Sequence, residues 1–496
     1  MHNNHRRGFS KYKVASAQDL KNKLKCSGES PIQQGKLPTH KQQSLPPQSP
    51  NFLGNIPPLG TAYEPQQPIT KQLKKIINEH YYTAAFENAI SKVSEQCVPE
   101  LDQIKNLFQF YYYVDALVTW IPEIRVWDWY GDILHERSCY LRITQFYYYF
   151  NQHELEALQS PIAPQTGETL SPLSAWLRNF AIEWGAFLDT TESQQYLESF
   201  KFAPEYAWQD YQKEPEKYTS FNAFFAREFK NINTQRPVAQ QDNDRVIVFP
   251  AESTFVGQWR VSSGVGDPLP APPSIVVKHI EWPIEELLQD SQYNTDFSGG
   301  IFCHSFLNTY DYHRQHTPVR GKILEAKFIP GQVYLQVELE ELSRTQSEEK
   351  DPNVARALIA RRYLDAEDPT GYQFVQCRGL LVLDSPIGKV AILAMGMAQV
   401  SSVVFVKNDK PIELSNAEKK KLNYDQQVEA INKKLKKELV GKQLNKGDMF
   451  SFFQFGGSDC VMVFERKANI TITAQPGVHY PIRSQYAISN IEKLLK

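Results

Sequence analysis

The chain has no run of apolar residues long enough to cross a membrane, no cysteine pair with metal or redox spacing, and no excess of charge. Its most apolar stretch, residues 390–406, is bounded by Lys389 and Lys407 and broken by Gln399, Ser401 and Ser402. A spanning helix needs roughly 20 predominantly apolar residues, so none is expected. Cys26, Cys97, Cys139, Cys303, Cys377 and Cys460 are widely scattered, which predicts free thiols in a reducing, cytoplasmic compartment rather than a disulfide framework. Lys and Arg number 54 against 56 Asp and Glu, a formal charge of −2, so no overall field draws nucleic acid. The opening MHNNHRRGFSKYKV lacks the apolar segment of a secretory signal. A soluble or at most peripheral protein is expected.

The 496 residues leave room for more than one domain at roughly 100–200 residues each, and the texture changes twice along them. Residues 1–70 are rich in Gln, Pro, Ser and Lys and read as a basic, disordered arm, unable to bury enough surface to offset its ordering entropy. Residues 71–215 carry aromatic-rich runs such as NLFQFYYYVDALVTWIPEIRVWDWY with apolar residues three and four apart, which predicts helices with one buried face. Residues 216–496 break into short β-rich runs punctuated by Pro and Gly, among them RVIVFPAEST and MFSFFQFGGSDCVMVFE. The expected fold class is α+β, a helical N-terminal domain followed by a mostly β core. One helix is predicted within that core. Ser415 and Glu418 have capping-box spacing, Val428, Ile431, Leu435 and Leu439 form a narrow stripe, and lysines crowd the remaining surface. That surface reads as a solvated face, with weak peripheral contact to an anionic membrane as the other reading.

Three segments could carry chemistry. TYDYHRQHTPVRG sets His313 and His316 three apart just before Pro318, which favours a turn into a strand over a helix. A metal site needs three or four ligands, and neither an H-E-x-x-H motif nor a cysteine cluster accompanies the pair, so no metal is expected. Structural histidines and general acid–base groups remain as readings. In FQFGGSDCVMVFE, Gly456, Gly457 and Ser458 interrupt two apolar runs, either as a plain β-turn or as a bend presenting a serine nucleophile. A nucleophile elbow would need Gly where Cys460 stands. In VIVFPAESTF, Glu252 follows a strand, as a surface carboxylate or as the acid of a Ser–His–carboxylate relay.

Taken together and in this order, FNAFFAREFKNINTQRPV, FPAES, GGIFCHSFLNTYDYHRQHTPVRGKI, VAILAMGMAQVSSV and KGDMFSFFQFGGSDCVMVFE resemble the phosphatidylserine decarboxylase family, from about Tyr218 to the end of the chain. The chain is similar above all to the soluble, tryptophan-decarboxylase-like branch, through AES (251–253), GMAQVSS (396–402), FGGS (455–458) and WGAFLDT (184–190). The acid is Glu252 where phosphatidylserine enzymes have Asp, and the lysine-rich helix looks like an insertion.

The resemblance implies a chain that cuts itself between Gly457 and Ser458, converting Ser458 into a pyruvoyl cofactor. His316, steered by Glu252, would take the Ser458 hydroxyl proton, and His313 would return a proton to the substrate carbon. The implied activity is decarboxylation through a Schiff base. Its substrate would be a free aromatic amino acid or phosphatidylserine, and the two cleaved chains would stay associated. The competing readings are a serine hydrolase that stays whole and a non-catalytic binding protein of the same fold.

Overall fold

The computed structural model describes residues 52–494 except 97, 99, 130–131, 136, 165–168, 264–271, 342–361, 367–369, 397–402, 457–458 and 493. Most of the expected basic arm, and Gly457 and Ser458 themselves, lie outside the described residues. The described end of that arm differs from expectation. Residues 52–67 run as a strap over the helices, with Leu53 buried, Phe52 edge-on to Tyr113 and the Tyr63 hydroxyl donating to Asp115 at 2.8 Å. Asp115 also accepts the main-chain N–H groups of Gln66 and Gln67. Two aromatics and one buried acid thus hold a segment whose composition alone reads as unstructured.

The longer helices among the described residues of this half are α1 (Pro68–Glu79), α2 (Thr83–Glu95), α3 (Leu107–Val118), α4 (Ser138–Phe150) and α5 (Pro172–Leu188). Local chemistry sets several of their starts. Asn106 accepts from Gln109 N, Ser171 accepts from Ser174 N, and Pro68 and Pro172 occupy first turns, where the missing N–H costs nothing. The aromatic runs interleave as core. Phe146 stacks on Phe180 at 4.4 Å, and Trp176 donates its indole N–H to Ile69 O at 2.8 Å. The tyrosine and tryptophan clusters therefore build the interior rather than a binding platform.

The second half is antiparallel β. The strands of its three larger sheets begin with β1 (Val246–Val248), β2 (Ser253–Arg260), β3 (Ile301–Phe306), β4 (Arg314–His316), β5 (Gly321–Ile329), β6 (Cys377–Ser385), β7 (Gly388–Gly396) and β8 (Val403–Lys407). They continue as β9 (Lys410–Pro411), β10 (Gln443–Leu444), β11 (Met449–Phe453), β12 (Asp459–Phe464), β13 (Ile470–Ile472), β14 (His479–Tyr480) and β15 (Gln485–Ser489). One sheet has eight strands in the order β10-β5-β6-β7-β12-β3-β2-β14, a second runs β9-β8-β11-β4, and a third β13-β15-β1. The fold class is α+β, as the sequence implies.

Two features of this topology position the site. Strand β12 lies inside the eight-stranded sheet, hydrogen-bonded to β7 on one side and β3 on the other, with all six residues buried. Strand β11 belongs to the second sheet. Phe453, at the end of β11, and Asp459, at the start of β12, therefore belong to different sheets.

The lysine-rich helix divides in two, α6 (Asn416–Lys421) and α7 (Tyr424–Leu439). The expected Ser415/Glu418 box caps the first. Asn423 and Gln426 form a second box that ends one helix and starts the next. Leu435 and Leu439 of α7 are buried, and Asn432 bonds both main-chain groups of Phe328 on β5. The apolar stripe is thus covered by protein, so membrane contact would fall to the lysine face alone. Among the described residues no helix is long and apolar enough to cross a membrane.

Candidate active site

Chain order brings the two histidines to one strand. His313 precedes β4 and His316 ends it. Strand β4 is an edge strand against β11, with Met449 opposite His316 and the Phe453 N–H donating to His313 O at 2.7 Å. A turn into a strand was expected from Pro318, and the strand ends two residues before it. The FPAES turn packs alongside, because His316 N donates to Pro250 O at 2.8 Å. Two of the three sequence motifs therefore meet through their main chains.

Their side chains are arranged differently from the expected relay. Glu252 is clamped by Arg236, which donates Nε to Oε2 at 2.8 Å and Nη2 to Oε1 at 3.0 Å. A two-pronged guanidinium–carboxylate pair is the geometry a mostly buried acid favours. His316 is buried with Nδ1 2.7 Å from Gly447 O. A carbonyl can only accept, so this shorter contact puts the proton on Nδ1 and leaves the lone pair on Nε2, 3.2 Å from the Tyr312 hydroxyl, whereas the longer Arg483 Nε contact to the same Nδ1 calls for the other tautomer. Arg483 lies 3.2 Å from Nδ1 through Nε and donates Nη2 to the same Gly447 O at 2.7 Å. The steering of His316 by Glu252 is not what these contacts show. Burial, and then the Arg483 charge, push the imidazole down to about 3, so it is neutral at pH 7 and weaker as a base than an acid partner would make it.

His313 is fully buried and stacked on Phe225, ring centroids 3.7 Å apart. Neither of its ring nitrogens has a hydrogen-bond partner. Burial first, and then the Arg227 charge, hold its pKa well below the ordinary imidazole value. Each unpaired buried polar atom costs about 1–3 kcal/mol, an expense that structural histidines normally avoid. A binding site completed by a ligand tolerates it.

The residues leading to the Gly-Gly-Ser sequence are held by the helical half. Phe455 is edge-on to Trp184, Phe221 and Phe225, at 5.7, 5.3 and 5.4 Å. Its N–H donates to Asn222 Oδ1, whose amide binds Gly185 O and Asp189. Gln454 reaches the same Asp189. The WGAFLDT run thus holds the residues that lead to Gly457. Gly456 has φ +99°, in the left-handed region where a side chain would be strained.

Several residues near the site carried little signal in the sequence. Arg236 lies in the QRPV run and Tyr312 in TYDYH, but nothing in either spacing marked a role. His479 Nε2 lies 2.9 Å from Asp311 Oδ1, joining β14 to the DYH turn. Burial would lower His479, but the bond and charge of Asp311 win and raise it. After Ser458, Asp459 opens β12 fully buried, 3.4 Å from His304. Among the described residues no group of three or more His, Cys, Asp or Glu is arranged to hold a metal. The residues of GMAQVSS after Gly396 lie outside the described residues.

The buried imidazoles of His313 and His316 set an acid limit on stability. Folded, both stay neutral, while the unfolded chain begins to protonate them near pH 6.5. The unfolded state then binds more protons, so stability is complete above pH 6.5 and falls as the pH drops toward 3, by up to about 1.4 kcal/mol per pH unit for each histidine. Urea midpoints measured across that window are expected to fall steeply, and His316→Gln to flatten the slope. Parallel curves for the two proteins would contradict the assignment.

An antiparallel α+β core carrying paired histidines beside a strand that runs into Gly-Gly-Ser defines a class. The sequence model of phosphatidylserine decarboxylases matches residues 221–485, and the chain belongs to the phosphatidylserine decarboxylase family. It is 27% identical over 249 residues to phosphatidylserine decarboxylase proenzyme 3 of Schizosaccharomyces pombe, covering 50% of this chain and 19% of that one. With the phosphatidylserine decarboxylase proenzyme of Fusobacterium nucleatum it shares 25% over 291 residues, 58% of this chain and 74% of the relative. The L-tryptophan decarboxylase of Psilocybe cyanescens is 22% identical over 283 residues, 56% of this chain and 53% of the relative. The match thus spans about a fifth of the first relative and about half of the third.

Proposed function

We propose that this protein is a self-processing, pyruvoyl-dependent decarboxylase that splits between Gly457 and Ser458 and releases CO2 from a free aromatic amino acid such as tryptophan. The observation that carries this reading is His313, a buried imidazole with both nitrogens unpartnered, beside the strand that leads to the Gly-Gly-Ser turn in a chain of this family. His316 Nε2, with its lone pair available, takes the Ser458 hydroxyl proton as the oxygen attacks the Gly457 carbonyl carbon. The chain 458–496 stays in place, because β12 is hydrogen-bonded on both sides by strands of the larger chain.

The pyruvoyl carbonyl, when formed, supplies the electron sink that a departing CO2 requires and that ordinary side chains lack. The orphaned His313 nitrogens fit a site completed by that group and its substrate. His313 returns a proton to the substrate Cα. Trp184, Phe221, Phe225 and Phe455 form an apolar wall that excludes water and suits an aromatic side chain. We place the protein in the cytoplasm, with at most peripheral membrane contact through the lysines of α7.

Two measurements test the reading. Denaturing electrophoresis with mass analysis should show a chain of residues 458–496 with a blocked N-terminus. One intact chain would instead indicate a hydrolase or a binding protein. CO2 release from tryptophan, tyrosine and phosphatidylserine, assayed side by side, should favour the free amino acids. Release from the lipid alone would transfer the substrate assignment to phosphatidylserine.

A further inference from the structure

Arg227 is among the largest fully buried side chains, and the reaction proposed above gives its donors no task. We infer that Arg227 binds the carboxylate of the substrate, in a site that it shares with His313. The inference rests on the decarboxylase reading and names the substrate group that this site holds.

The arginine follows the short helix Phe221–Phe225 and is 1% exposed. Its Nη2 donates to the carbonyl oxygens of Tyr310 and Asp311, whereas Nε and Nη1 are buried without a hydrogen-bond partner. The rings of Tyr211, Phe224 and Tyr206 stand 4.4, 5.2 and 5.6 Å from the guanidinium carbon. Such rings attract a cation, but they bring no charge to neutralise it. The acids around it are committed elsewhere. Asp311 receives His479 on Oδ1 at 2.9 Å and the Asn308 N–H on Oδ2 at 2.8 Å, Glu252 is clamped by Arg236, and Glu228 pairs with Arg314. A guanidinium cannot discharge itself by losing a proton, so this one stays charged and buried with no counter-ion among the described residues. Its neighbour is in the same condition. Phe225, two residues before Arg227, stacks on His313, and Arg227 grips the main chain two residues before His313. Two nitrogens of each side chain are therefore unpaired on adjoining segments.

The missing partner is a small anion that only accepts hydrogen bonds. A carboxylate has that chemistry, and its planar oxygens suit a planar guanidinium. In the proposed reaction His313 protonates the substrate Cα, and the carboxylate is the anionic group bonded to that carbon. A donor to the carboxylate therefore belongs beside a donor to Cα. The pairing is made with the intact substrate and loosens as charge moves off the departing group, so its contribution falls on KM far more than on kcat.

Steady-state kinetics on the full protein test the site. In Arg227→Gln the KM for tryptophan should rise about 10- to 100-fold, the loss of a hydrogen bond between charged groups. Inhibition by tryptamine, which has the amine and the ring but no carboxylate, should stay at its wild-type strength. An arginine that only supports the fold would weaken both together, and that result would overturn the inference. So would an unchanged KM. If the variant fails to fold or to split, the wild-type protein decides. Indole-3-propionate should then inhibit more tightly than its neutral amide, indole-3-propionamide, by the same factor, and equal inhibition would overturn the inference. A wild-type protein that releases no CO2 from tryptophan refutes the proposed function before either comparison is made, so the two failures are distinguishable.

Discussion

Ser458→Ala is expected to leave the chain whole and to abolish CO2 release from every substrate offered. Alanine has no oxygen to attack the Gly457 carbonyl, so the amide cannot become an ester and no ketone is made. Without an electron sink, the carbanion left by CO2 has nothing to accept its charge. The loss therefore spans the full catalytic enhancement, about 10⁶-fold or more for a typical enzyme, rather than the smaller factor expected of a positioning residue. Denaturing electrophoresis and intact mass follow the cleavage, and trapped CO2 the activity. Splitting of this variant at 457/458 would remove Ser458 from the mechanism.

The two histidines are expected to separate cleavage from turnover. His316→Gln removes the lone pair at Nε2, so the first proton transfer slows by about 10²–10⁴-fold and whole chain accumulates. His313→Gln should split normally, because His313 plays no part in forming the ester. Its turnover per split chain should then fall by a similar factor, since protonation of the substrate carbon loses its donor. Time courses of splitting, set against CO2 released per split chain, distinguish the two. Equal effects of both variants on cleavage would merge roles that we keep apart. The pH profile adds a check. With His316 pushed down to about 3, the rate of splitting should stay flat from pH 8 to well below 6, provided the fold survives. An inflection near pH 6.5 would show an imidazole of ordinary basicity.

The low basicity of His316 follows first from burial and then from the Arg483 charge, with no acid beside it to offset them. Glu252 pairs with Arg236, and His316 pairs with Gly447 beside Arg483. The extra methylene of Glu over Asp lengthens its reach, and here that reach ends on a guanidinium. Neither arginine could be assigned from the sequence, because each lies far along the chain from the group it controls.

How much was legible depended on the range of the interaction. Periodicity showed the helices, the strands and the α+β class, because a buried face repeats every 3.6 or 2 residues whatever it packs against. Ser415 and Glu418 announced a cap, but Asn423, which divides that helix, did so only once the fold was seen. Residues 52–67 were misjudged from composition, since their order comes from Tyr113 and Asp115, about 50 residues away in the chain.

The amino-acid order by itself specified the candidate chemistry: a hydroxyl after two glycines, two imidazoles three residues apart, an acid after a strand, and the family that these define in series. Only tertiary packing decided how those groups are tuned. Burial strips water from both imidazoles, an arginine lowers each of them, another captures the acid, and Gln373 binds one oxygen of Asp459. Protonation and pairing depend on distances through space, and those are set by a sheet that brings residues 304, 373 and 459 together.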